Sequence, residues 1–319
     1  MVTALQIIGG LVLLFIGGEI LVRGAVALAK DLGLSAFIIG LTVVAYGTSS
    51  PELVISVQSA LDNHPDIALG NVIGSNISNI LCVIGLTALI CPIAIDKKES
   101  GFDGKIMLGV TALLTALCFL GMLNIISAVI FLGTLVGYTY FIFHNEKKKK
   151  RQQKLSEDTT AEIEEQLKVS LSRWQAIAFC IGGIILLMLG GDTLITGAVT
   201  LAKMAGLSEA VIGVTLIAMG GSAPELITSV VAAFHKKSDI ALGNIIGSNL
   251  FNILGILGIT TALSPIEVAP KFLEQDLPIL ALTTVALLAV MLMRPVISRF
   301  AGCLFFAGYI GYLGLQFYS

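Results

Sequence analysis

One motif is written twice in this chain, and each copy places a carboxylate inside strongly apolar sequence. The first copy runs Gly47-Thr48-Ser49-Ser50-Pro51-Glu52, continues as Asp66-Ile67-Ala68-Leu69-Gly70-Asn71-Val72-Ile73-Gly74-Ser75-Asn76, and ends at Asn79. The second runs Gly220-Gly221-Ser222-Ala223-Pro224-Glu225, continues as Asp239-Ile240-Ala241-Leu242-Gly243-Asn244-Ile245-Ile246-Gly247-Ser248-Asn249, and ends at Asn252. Every pair is offset by 173 residues, and the eleven residues from Asp66 and from Asp239 differ only at Val72 and Ile245. Polar groups in apolar surroundings are costly unless something partners them. A bound cation is the candidate partner.

The surroundings are those of a membrane protein. Of the 319 residues 56% are hydrophobic and 13% charged, where a soluble domain carries about 25% charge. Apolar runs of about 20 residues, the length that crosses a bilayer as a helix, recur from end to end. Ten spans are expected, at 3-28, 35-63, 67-91, 104-121, 124-143, 174-201, 208-235, 240-264, 276-293 and 297-317. The first lacks a basic leading segment and a small-residue cleavage site, so it reads as a span and not a removable signal. Cys82, Cys91, Cys118, Cys180 and Cys303 show no metal spacing and read as small core residues without disulfides. His64, His144 and His235 fall at span ends and read as interfacial. A net charge of -2 points to no charged partner, and nothing suggests nucleic acid.

The repeat extends past the motifs. Gly17-Gly18-Glu19 matches Gly190-Gly191-Asp192, Gly24 matches Gly197, and Pro92 matches Pro265. The chain therefore divides into a first five-helix repeat (1-143), a hydrophilic linker (144-173) and a second five-helix repeat (174-319). Five is odd, so the second unit enters the membrane from the opposite side. The expected fold class is an all-α polytopic membrane protein, ten transmembrane helices as two inverted five-helix repeats, as in several secondary transporters. Loop charge supports this orientation. With the linker in the cytoplasm, that side holds Lys30, Lys97, Lys98, Lys105, the linker's eight basic residues, Lys236, Lys237, Arg294 and Arg299, while Lys203 and Lys271 lie outside. Sixteen against two is a strong positive-inside bias. The expected location is the cell membrane, with the linker cytoplasmic and both termini outside. Lys147 to Arg151 read first as a topology signal.

The motif residues carry hard-cation chemistry. Glycine and Pro51 should break the span just before Glu52 and free backbone groups that need partners at membrane depth. Thr48, Ser49 and Glu52 offer hydroxyl, carbonyl and carboxylate oxygens. Oxygen-only ligands suit Ca²⁺ and Na⁺, not Zn²⁺ or Cu⁺. Ser75 and Asn79, four apart, share a helix face in the following span. The second half supplies Gly221, Ser222, Glu225, Ser248 and Asn252. Gly70, Gly74, Gly243 and Gly247 serve close helix packing as readily as site geometry. Interhelical hydrogen bonding suits Asn71, Asn76, Asn244 and Asn249 at least as well as ligation. Glu19 and Arg23, four apart, form a pair on one helix face. Asp192 lacks that neighbour and reads as a tether or pathway group.

The paired motif resembles the α-repeats of the calcium/cation antiporter superfamily, and within it the chain resembles a prokaryotic sodium/calcium exchanger over both halves. The resemblance implies ion-binding roles for Glu52, Glu225, Thr48, Ser49, Ser75, Asn79, Ser222, Ser248 and Asn252. It also implies a mid-membrane site with alternating access, made by the first and sixth spans sliding against the other eight. Two positions depart from the pattern. Many relatives carry Thr where this chain has Gly221, and potassium-dependent members carry Asp where it has Asn252.

The expected function is antiport of Na⁺ for Ca²⁺ across the bilayer at a two-glutamate site, with those ions as substrates, no cofactor and no evident obligate protein partner. A Ca²⁺/H⁺ antiporter using the same glutamates and a cation channel are the alternatives. No constellation supports an enzyme.

Overall fold

A computed structural model describes residues 2–96, 100–156, 171–204 and 221–316, with backbone alone over 147–156. Lys97, Lys98, most of the linker and the first half of the span expected at 208-235, Gly220 included, lie outside the described residues. The helices are α1 (Val2–Leu32), α2 (Ala36–Thr48), α3 (Ser50–Leu61), α4 (Pro65–Ile90), α5 (Ser100–Cys118) and α6 (Ile125–Ser156). After them come α7 (Arg173–Met204), α8 (Ala223–Phe234), α9 (Ser238–Leu263), α10 (Phe272–Met293) and α11 (Arg299–Gln316).

Among the described residues seven helices are long and apolar enough to cross a membrane, and the bent pair α2–α3 makes an eighth. The chain is a multi-pass membrane protein. Helix α11 falls at the tenth expected span, but four glycines, two tyrosines and polar residues at both ends dilute its hydropathy. Helix α6 does not stop at the membrane edge expected near 143 and continues through Ser156.

Helices α2 and α3 meet at 44°. Pro51 has no N–H with which to continue the helical ladder, and the interruption falls at Ser49, whose φ and ψ are -84° and 9°. Ser222, its counterpart before Pro224, has -86° and 9°. The two copies thus make the same local turn. Helices α4 and α9 each carry a π turn, at Asn79–Val83 and Asn252–Ile256. A π turn inserts one extra residue into the helix and re-aims the side chains at its start, so the closing asparagine of each motif sits at such a turn.

The two motif helices lie at the centre. Of the apolar window of α9, 94% is buried, and of α4, 78%, against 33% and 28% for α1 and α7. Helices α1 and α7 pack together along glycines seven residues apart. A Cβ on Gly10 would meet the Gly190 carbonyl oxygen at 2.8 Å, one on Gly17 the Gly183 oxygen at 2.9 Å, and one on Gly24 the Ala176 oxygen at 2.9 Å. The contacts run in opposite sequence directions, so these repeat-equivalent helices are antiparallel. Two short strand pairs tie the halves together: Ile93–Ala94 pairs with Val296–Ile297, and Met122–Leu123 with Ile266–Glu267.

Cys82, Cys118 and Cys180 are buried as expected, but Cys303 is exposed on α11 and is no core residue. Its side of that helix faces outward, where an apolar thiol suits lipid. Glu19 pairs with Arg23 at 2.6 Å and also meets His235 at 2.7 Å, so His235 tethers the end of α8 to α1. Asp192 is exposed.

Helix α9 crosses α2 at near-backbone contact. A Cβ on Gly243 would lie 2.5 Å from the Phe37 carbonyl oxygen, and one on Gly247 would collide with the Leu41 carbonyl oxygen. Gly247→Val should therefore destabilise the protein by about 1–3 kcal/mol, the usual cost of overpacking. Gly109→Val, at an exposed position with nothing within 4 Å of an added Cβ, should not. Thermal unfolding of the two variants in detergent checks this.

Candidate functional site

The two glutamates come together because each follows a helix interruption. Glu52 lies in the first turn of α3 and Glu225 in the first turn of α8, where the helix dipole favours negative charge. They are 1% and 0% exposed, and close enough to repel one another. Among the described residues no basic side chain pairs with either.

Each glutamate is met by the other copy's turn. Ser49 Oγ donates to Glu225 Oε1 at 2.9 Å, and the hydroxyls of Thr48 and Ser248 also face that carboxyl. On the other side, a Cβ on Gly221 would lie 3.9 Å from Glu52 Oε1. Thr48 Oγ1 donates to Asn244 Oδ1 at 3.1 Å and, at 3.2 Å, to the Ala45 carbonyl, which Ser248 Oγ reaches at 3.5 Å. The π turn at Asn252 packs against α3, and the one at Asn79 against α8. The turns thus reach across to the glutamates of the opposite repeat.

What distinguishes this cluster is the acceptors left over. Nine buried side-chain polar atoms have no hydrogen-bond partner among the described residues, and five belong here: Glu52 Oε2, Glu225 Oε2, Asn79 Oδ1, Asn252 Oδ1 and Ser222 Oγ. All five are oxygens. A buried unpartnered acceptor costs about 1–3 kcal/mol, and more if charged. Four of the five are two-fold related, one carboxylate and one amide oxygen from each repeat. A hard cation binds such a set without any change of donor chemistry.

The structure brings Thr48, Ser49, Glu52, Ser222, Glu225, Ser248, Asn79 and Asn252 into this region. Ser75 is only half-buried, whereas its counterpart Ser248 is fully buried. Asn71 and Asn244 hold the site's frame. Asn71 Nδ2 donates to the Glu52 carbonyl at 3.2 Å and to Ser56 Oγ at 2.9 Å. Asn244 Nδ2 donates to the Glu225 carbonyl at 3.4 Å and to Ser229 Oγ at 3.1 Å. Sequence reasoning passed over Ser56 and Ser229, although both stand four residues after their glutamate and are matched by the 173-residue offset. It also passed over the Ala45 carbonyl, which no side-chain pattern signals.

Comparison with known proteins shows the family. The sodium/calcium exchanger protein family profile matches residues 2–144 and 175–318. A putative antiporter, CaxA, of Alkalimonas amylolytica is 37% identical over 325 residues, covering 100% of each chain. The sodium/calcium exchanger MaX1 of Methanosarcina acetivorans is 30% identical, with 97% of each chain covered. A solved structure of the sodium-calcium exchanger NCX_Mj, soaked with Na⁺ and Ca²⁺, superposes with a TM-score of 0.82 at 29% identity over 98% of each chain.

The frame is unequal in its two halves. Asn244 accepts from Thr48, and the position equivalent to Thr48 is Gly221, which has no hydroxyl. Asn244→Leu should therefore destabilise more than Asn71→Leu, the excess being about 1 kcal/mol for the extra bond. Thermal unfolding of both purified variants tests the order.

Proposed function

The chain belongs to the sodium/calcium exchanger protein family, and we propose that it moves Ca²⁺ across the cell membrane in exchange for Na⁺ at one mid-membrane site. Glu52 and Glu225 supply the charge. Thr48, Ser49, Ser75, Asn79, Ser222, Ser248 and Asn252 supply neutral oxygens. The observation that carries the reading is the two-fold set of buried, unpartnered acceptors, Glu52 Oε2, Glu225 Oε2, Asn79 Oδ1 and Asn252 Oδ1.

The mechanism follows from charge. Two ionised glutamates give the site about -2 in a medium where an unpaired charge is very costly. One Ca²⁺ neutralises it, and so do Na⁺ ions shared over the same oxygens. A neutralised site can pass between inward and outward access, whereas a bare one resists moving through apolar surroundings. Competition for one site thereby becomes coupling. The moving part is the α1–α7 pair against the remaining helices. Support for this comes from the seam of backbone contacts that joins them to each other.

The ten-helix, inverted-repeat topology belongs to the same proposal. It is supported by antiparallel α1 and α7 and by the charge bias of the loops. The linker is placed in the cytoplasm and both termini outside.

Two experiments check these points. Glu52→Gln and Glu225→Gln should each abolish ⁴⁵Ca²⁺ uptake driven by a sodium gradient in proteoliposomes while the protein remains folded, and native uptake should need no K⁺. Near-normal transport by either variant would overturn the two-glutamate site. Uptake driven by a proton gradient with sodium absent would replace Na⁺ by H⁺ as the coupling ion. For topology, Lys237→Cys should react with an impermeant thiol reagent only from the cytoplasmic side and Lys203→Cys only from outside. Labelling of both from one side refutes the inversion.

A further inference from the structure

Four buried asparagines lie where the two repeats meet, and only two of them leave an acceptor unpartnered. Asn252 Nδ2 donates to Asn76 Oδ1 at 3.0 Å, and Asn79 Nδ2 donates to Asn249 Oδ1 at 3.3 Å. Asn76 Nδ2 donates to the Asn249 backbone carbonyl at 3.2 Å, and Asn249 Nδ2 reaches Met107 Sδ at 3.5 Å. Asn76 and Asn249 are each 1% exposed.

An asparagine amide can turn over, exchanging donor for acceptor, and its direction follows from the network around it. Here the direction is determined from one end. A backbone carbonyl only accepts, so Asn76 must present Nδ2 to Asn249's carbonyl. Its Oδ1 then faces Asn252, which must answer with Nδ2. Asn252 Oδ1 is left without a partner among the described residues, on the π turn that packs against α3. The second branch runs the same way. Met107 Sδ only accepts, so Asn249 presents Nδ2 to it and Oδ1 to Asn79, and Asn79 Oδ1 is left over. The unpartnered atoms are indeed these two oxygens.

We propose that Asn76 and Asn249 are positioning residues that hold Asn252 and Asn79 with the amide oxygen, not the NH₂, turned toward the transported cation. This rests on the ion-site reading above. Without Asn76, Asn252 can turn over and donate its NH₂ toward a glutamate, which opposes a cation in the same place. The branches differ in strength, because a backbone carbonyl is a better acceptor than a thioether. The Asn76–Asn252 branch is therefore the stiffer.

The test uses the fact that an aspartate has two equivalent oxygens and needs no orienting. Ca²⁺-loaded proteoliposomes take up ⁴⁵Ca²⁺ by exchange, which requires no assumption about the coupling ion. Asn76→Leu should raise the half-saturating Ca²⁺ concentration about tenfold, as loss of a partner behind a ligand does, with a smaller fall in maximal rate. In an Asn252→Asp background the same change should give no further rise. An equal rise in both backgrounds, or none in the native one, overturns the proposal. If Asn76→Leu does not fold, Asn249→Leu with and without Asn79→Asp asks the same question on the other branch. Glu52→Gln is run alongside. If it exchanges Ca²⁺ normally, the ion-site reading fails and this inference with it. If it is inactive while Asn76→Leu is normal, only the positioning role fails.

Discussion

Two carboxylates buried close together, with no base pairing with them among the described residues, set the terms for the rest of the molecule. Glu52 and Glu225 are removed from solvent and close to one another, an arrangement that an apolar interior tolerates only with a positive partner. The dipoles and hydroxyls nearby lower the cost without removing it. The first turns of α3 and α8 contribute their dipoles, and Ser49 donates to Glu225. One oxygen of each carboxylate still has no partner among the described residues.

Holding this cluster requires stiffness, and bonds between the repeats supply part of it. Ser49 of the first copy serves the glutamate of the second. The asparagine pairs Asn252–Asn76 and Asn79–Asn249 cross the same boundary, and the two strand pairs do so at the loops. Neither half carries a complete site. The repeats differ where Thr48 of the first corresponds to Gly221 of the second. The hydroxyl of Thr48 adds a bond to Asn244, so the frame behind Glu225 is tighter than the frame behind Glu52.

The contrast between centre and flank has the same origin. Helices α4 and α9 are almost wholly buried, and Gly243 and Gly247 bring α9 to backbone contact with α2. Such contacts leave no room for sliding. Helices α1 and α7 pack on each other through glycines seven apart, and 33% and 28% of their apolar windows are buried. Membrane helices associate chiefly through close packing of small residues, so this pair coheres as a unit, and side-chain contacts tie α1 to α2 and α8. The Glu19–His235 contact is one such tie.

The sequence alone determined a great deal here, because membrane depth makes polar residues conspicuous. The duplicated motif, the two glutamates, the break at Pro51 and the helical spans were legible, since an apolar run with an internal carboxylate and proline has few physical outcomes. The repeat offset even marked Ser56 and Ser229, unnoticed because a serine in a membrane helix fits packing as well as bonding. What the sequence could not decide was pairing across the repeats. A hydrogen bond between Ser49 and Glu225 or between Asn252 and Asn76 joins residues 176 apart, and no local pattern encodes it. The same holds for the direction of each amide, for the Ala45 carbonyl at the site, and for the exposure of Cys303. Sequence periodicity specifies which face of a helix is polar. Only the tertiary structure decides which other helix that face meets, because that depends on where glycine permits two backbones to touch.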